Sequence, residues 1–170
     1  MIRWLTAIII LPGTVLILVP LVLLWLSSGR HWLDSLANPS TLEFWVAIVS
    51  GLLGLFLSLW TMTLFFRFGE GTAAPWAPPQ RLVIKGPYRY VRNPMMIGVF
   101  MMLFAESLLL QSRQILIWLA ISVAANLVYI PIFEEKGLKQ RFGRDYLVYK
   151  RHVPRWIPRL TAWKGGEEEA

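Results

Sequence analysis

The chain has 170 residues, a length for one domain, and 56% of them are apolar against 16% charged. That balance excludes an ordinary soluble domain. The net charge of +7 gathers in the 67–93 connection and from Lys136 onward, the pattern of loops flanking membrane spans rather than of a nucleic-acid groove. Cysteine is absent and His31 and His152 stand far apart, which excludes disulfides, thiolate sites and cysteine nucleophiles and suggests no metal set.

Trp4–Leu26, Phe44–Phe66 and Gln114–Phe133 carry no charge over roughly the 20 residues a helix needs to cross a bilayer, and Pro94–Ser112 is interrupted only by Glu106. The expected fold is therefore an all-α integral membrane protein with four transmembrane helices. Trp4–Leu26 is too long and uniformly apolar for a cleaved signal peptide. The distribution of Lys and Arg places both termini and the 67–93 loop in the cytoplasm.

The first span contains Pro12, Gly13 and Pro20, which predict kinks. The 27–43 loop ends in Asn38-Pro39-Ser40-Thr41, a turn and helix cap. In the second span Gly51, Gly54, Ser50 and Ser58 form a small-residue packing face. The stretch GEGTAAPWAPP (69–79) is turn and extended chain, with Trp76 as an interfacial anchor. It leads into RLVIKGPYRYVRNP (81–94), where Arg81, Lys85, Arg89 and Arg92 alternate with Tyr88 and Tyr90 and only Glu70 opposes them. These cations suit either anionic lipid headgroups or an ordered loop that holds an anionic ligand.

Pro94 opens the third span, where Met95, Met96, Met101 and Met102 cluster and Glu106 is expected at the far interface or paired with Arg113. The short link Gln111-Ser112-Arg113 forces an antiparallel hairpin. The fourth span carries Asn126 and Tyr129, then Pro131, then Glu134-Glu135. Two carboxylates at a helix C-terminus oppose its dipole. Either Pro131 ends one helix and the pair starts another, or one carboxylate faces a cationic ligand group. Leu138, Phe142, Tyr146 and Tyr149 then recur at helical spacing among basic residues, which predicts an interfacial amphipathic helix extended by Trp156 and Trp163. The expected organisation is two N-terminal spans (1–66), a core of loop, hairpin and interfacial helix (67–160), and a disordered tail (161–170).

GPYRYVRNPMMIG, an apolar hairpin, then EEKGL and FGRDYLVYKRHVPRWIP together resemble the isoprenylcysteine carboxyl methyltransferase family over about residues 69–160. Phospholipid N-methyltransferases are similar in the C-terminal half. The resemblance implies an integral membrane enzyme that uses S-adenosylmethionine without a Rossmann domain. By position, it implies that Gln80, Arg81, Leu82, Val83, Tyr88, Asn93, Pro94, Met95 and Met96 line the cofactor and that Glu134 meets its ammonium. Two departures stand out. Asn93 replaces the His of the carboxyl methyltransferases, and Ile130 stands where the prenylcysteine enzymes place a substrate-binding Arg, so Arg92 is the candidate to compensate.

A sulfonium donor leaves the protein mainly to position the reactants and exclude water. A carboxylate or thiolate acceptor needs no base; an amine does, and Glu135 and Tyr129 are the candidates. The expected partner is a lipophilic small molecule or lipid entering from the bilayer, with no nucleic acid. Two other readings are a steroid-reductase-like enzyme using NADPH and a non-catalytic protein that binds anionic lipids.

Overall fold

The computed structural model describes residues 13–28, 36–71 and 78–165. Among the described residues the chain is helix and turn, with no strand. The start of the first expected span, residues 29–35, Trp76 and the end of the tail (166–170) lie outside the described residues.

A π-helical turn, Thr14–Leu18, leads into α1 (Val19–Ser28). The wider turn precedes Pro20, whose missing N–H cannot complete an ordinary helical ladder. The expected turn at Asn38 forms: its carbonyl accepts from Thr41 N at 2.9 Å and its side-chain oxygen accepts from Ser40 N at 2.9 Å. The helix N-cap, Thr41, makes no side-chain cap bond, because its hydroxyl donates back to the Asn38 carbonyl at 2.8 Å. α2 (Leu42–Leu64) follows and ends in a second π-helical turn, Phe65–Gly69, stopped at Glu70 in the left-handed region. After a 3-10 turn, Gly86–Arg89, Pro94 opens α3 (Pro94–Leu109). Gln111 at φ 45° turns the chain, and Ser112 Oγ caps α4 (Arg113–Tyr129) by accepting from Ile115 N. The hairpin implied by the short link is thus closed by a side-chain cap.

α2 and α3 pack backbone to backbone. A Cβ at Gly98 would lie 2.4 Å from Ser58 Oγ and 2.7 Å from the Gly54 carbonyl, and Ser50 Oγ donates to the Met101 carbonyl at 3.0 Å. Leu24 of α1, Leu103 of α3 and Ile115 of α4 form the apolar core between the other helices. Glu106 does not pair with Arg113: it makes no ion pair among the described residues, and its Oε2 is buried without a partner.

Leu42–Gly69 and the helical run Arg113–His152 are long and apolar enough to cross a membrane, the second over the part that ends at Phe133. Their apolar side chains point mostly outward, as Leu52, Phe56, Ile117, Ile121 and Val128 do. Water does not favour such surfaces, and lipid does. α3 is shorter than expected: 16 residues rise about 24 Å, against the roughly 30 Å of a bilayer core.

Pro131 does not break the chain before the Glu pair. A third π-helical turn, Ile130–Glu134, absorbs the proline and carries α4 straight into α5 (Glu135–His152). The break comes later, at Gly143 (φ 52°, ψ −123°), so the run that reads as one amphipathic helix is two pieces. Trp163 is not an interfacial anchor but buried against Tyr149 and stacked on the His152 ring at 5.2 Å. The structured part therefore extends past residue 160, where a disordered tail is expected to begin.

Candidate functional site

The stretch 82–93 is held by two cores and covered by the C-terminal segment. Val83 and Tyr88 are buried with Leu64, and Tyr88 meets Phe65 edge to face. On the other side Leu82 and Ile84 pack against Tyr146, Tyr149, Val153 and Trp163. The Tyr149 hydroxyl donates to the Tyr88 carbonyl at 2.8 Å. Residues 153–163 then run back over the stretch: Arg92 N donates to the Pro154 carbonyl at 2.9 Å, Arg159 N to Tyr90 at 3.0 Å and Trp163 N to Arg89 at 3.0 Å.

This return brings a cluster of charges together. Glu135 is buried and its carboxylate takes three charge-assisted bonds: Arg92 Nη1 at 2.8 Å and Arg155 Nε at 2.6 Å to Oε1, and Lys150 Nζ at 2.6 Å to Oε2. Arg92 Nη1 also lies 3.2 Å from the Tyr146 hydroxyl, and Asn93 Nδ2 donates to the Arg155 carbonyl at 3.3 Å. Burial alone would raise the Glu135 pKa, but the bonds from Arg155 and Lys150 and the charges of Arg92 and Arg155 bring it down to about 2. Tyr146, raised to about 12 chiefly by burial, keeps its proton.

Glu134 is the opposite case. It makes no hydrogen bond or ion pair among the described residues. Its side chain reaches the surface, yet the protein around the carboxyl and the charge of Glu135 raise its pKa. It lies within electrostatic reach of the Tyr88 and Tyr146 hydroxyls.

Of the residues singled out from sequence, Arg92 and Glu135 meet each other directly. Asn93 precedes α3 and buried Pro94 is its first residue, with Met95 and Met96 half-buried on the first turn. Gln80 and Arg81 are exposed; both backbone N–H groups donate to the Gly69 carbonyl, at 2.7 and 3.3 Å, and Arg81 pairs with Glu70 at 3.0 Å. Leu82 and Val83 turn their side chains into the two cores, but the backbone groups of Leu82, Val83 and Ile84 have no partner among the described residues. Tyr129 is exposed and stacked on Phe133, apart from the Glu135 cluster.

Lys150 and Arg155 are the two members that sequence reasoning passed over. On a straight helix Lys150 would lie about 22 Å along the axis from Glu135. Their contact exists because the chain folds back at Gly143. A glycine inside an otherwise amphipathic pattern was the available signal.

Two outward-facing apolar helices long enough to cross a membrane, with a charged, hydrogen-bonded cluster at one end, fit a helical integral membrane protein. The family model for phospholipid methyltransferases matches residues 42–145, and the chain belongs to that family. It is 32% identical over 142 residues to methanethiol S-methyltransferase 2 of Bradyrhizobium diazoefficiens, an alignment that covers 81% of this chain and 48% of the relative. The chain thus spans about half the length of the curated relative it matches. No solved structure matches.

Proposed function

We propose that the chain transfers a methyl group from S-adenosylmethionine to a small lipophilic or lipid-like acceptor at the membrane. The observation that carries this reading is the contrast between adjacent carboxylates. Glu135 is neutralised by three cations, whereas Glu134 next to it is unpaired among the described residues and is suited to a cationic group of a ligand.

When bound, S-adenosylmethionine supplies an activated methyl on a sulfonium, so the chain's work is to bind, orient and keep water out. In this reading Glu134 meets the methionyl ammonium. The backbone of Leu82 and Val83, without a partner among the described residues, offers hydrogen bonds, with Gln80, Arg81, Asn93, Pro94, Met95 and Met96 around them. Tyr88 shapes the wall from within, since its ring is packed inward. Arg92 and Glu135 act as positioning residues that fix 88–93 against the C-terminal segment. A carboxyl brought to about 2 by its cations is a poor proton acceptor near neutral pH, and Tyr129 faces outward. Both facts favour an acceptor that arrives ionised. Arg92 is engaged by Glu135 and Tyr146, which disfavours a role in holding an acceptor carboxylate in place of the Arg absent at Ile130. A thiolate fits these constraints, and the relative's name makes small thiols the first acceptors to try.

The reading includes four spans, both termini and the 67–93 loop in the cytoplasm, and residues 135–152 lying at the interface. Its test is calorimetric titration of the purified protein with S-adenosylhomocysteine and with NADPH, then transfer of labelled methyl to methanethiol, phosphatidylethanolamine and a prenylcysteine analogue. S-adenosylhomocysteine should bind, and Glu134→Ala should weaken it at least tenfold. Failure of S-adenosylhomocysteine to bind would overturn the proposal.

A further inference from the structure

The cations of the 67–93 connection are not equivalent in the folded chain. Arg92 is held by Glu135, and Arg81 is paired with Glu70. Lys85 and Arg89 instead line an open cleft of about 790 Å³ together with Lys164, beside Ile84, Gly86 and Gly165. Among the described residues no acidic side chain lines it. Lys164 arrives from a distant part of the sequence because its neighbour Trp163 is bonded twice to Arg89: Trp163 N donates to the Arg89 carbonyl at 3.0 Å, and Arg89 Nε donates to the Trp163 carbonyl at 2.6 Å. Using Nε in this way leaves the terminal nitrogens of Arg89 for a ligand.

The cleft adjoins the aromatic end of α2. Lys85 Nζ lies 3.6 Å from the Phe68 ring centroid, and a Cβ at Gly86 would stand 3.2 Å from the Trp60 indole. Trp60 and Phe68 are both exposed, and Trp60 continues the outward apolar face of Leu52, Phe56 and Leu59. Aromatic residues where an apolar helix face gives way to cations mark the headgroup level of a bilayer. Three cations with no opposing carboxylate among the described residues suit a phosphate there.

We propose that the Lys85–Arg89–Lys164 cleft binds the headgroup phosphate of an anionic phospholipid whose acyl chains lie along the outward face of α2. The inference rests on the membrane reading and not on methyl transfer.

The test purifies the full chain from mixed vesicles of one part phosphatidylglycerol to four of phosphatidylcholine and measures retained lipid by native mass spectrometry. Retained phosphatidylglycerol should exceed its share of the vesicle. The double variant Lys85→Gln/Lys164→Gln should lose about fivefold of that preference per cation removed. Lys139→Gln/Arg144→Gln removes two exposed cations outside the cleft and should leave the preference intact. An equal loss in both variants would mean that overall charge, not this cleft, attracts the lipid, and would overturn the proposal. Retention of Arg89→Gln at wild-type preference would remove Arg89 from the site and equally overturn it as drawn. Inorganic phosphate, titrated at constant ionic strength, should fail to displace the lipid at millimolar concentration; displacement there would reassign the cleft to a soluble anion. S-adenosylhomocysteine affinity measured on the same variants separates failure here from failure of the methyltransferase reading.

Discussion

Replacing Glu135 by Gln removes the charge that three cations share while keeping the shape of the side chain. Bringing the carboxyl from 4.5 to about 2 corresponds to about 3 kcal/mol at roughly 1.4 kcal/mol per pH unit. Geometry leads to a similar figure. Arg92 is the one cation whose side chain is almost wholly buried, at 10% exposure, and an uncompensated buried charge costs about 3–5 kcal/mol. Lys150 and Arg155, at 43% and 28%, regain water and add at most about 1 kcal/mol each. Glu135→Gln should therefore destabilise the chain by about 3–5 kcal/mol. At roughly 2–4 °C per kcal/mol for a chain of this size, the midpoint should fall by about 6–20 °C in thermal unfolding followed by tryptophan fluorescence in detergent. Glu134→Gln, one residue away, breaks no bond among the described residues and should leave the midpoint within about 2 °C. Equal midpoints for Glu135→Gln and wild type would show that the three-cation cluster does not hold the fold.

The same carboxylate makes stability depend on acid. Its folded pKa lies below its unfolded value, so its contribution is complete above about pH 4.5 and is lost as pH falls toward about 2; unfolding midpoints taken between pH 6 and 3 should slope downward in wild type and more shallowly in Glu135→Gln. Gly143→Ala meets no atom within 4 Å, so its cost is the positive-φ backbone alone, about 1–3 kcal/mol, and urea denaturation should register it without loss of cooperativity. Gly98→Leu should cost at least as much by wedging α2 from α3, because even its Cβ would overlap Ser58 Oγ and the Gly54 carbonyl; near-wild-type stability would mean that the helices do not meet there. Ending the chain after Leu160 removes Trp163 from the core around Tyr149 and should lower the midpoint by several degrees, whereas a dispensable tail would leave it unchanged.

Several features were legible because they depend on near neighbours in the chain. The charge-free runs foretold the helical segments, the three-residue link foretold the hairpin, and Gly54 with Ser58 foretold a close packing face. Asn93-Pro94 marked the start of α3 for the same local reason, since proline fits a first helical turn. What local pattern cannot carry is a path through space. Pro131 looks like a stop, but a π-helical turn absorbs it, and Gly143 breaks the pattern instead. That one backbone reversal sets Lys150 against Glu135, and the return of residues 153–163 adds Arg155 and buries Trp163. Two adjacent glutamates are indistinguishable by composition. They become a buried anchor and an unpaired carboxylate because only one of them meets the cations that the folded chain brings back.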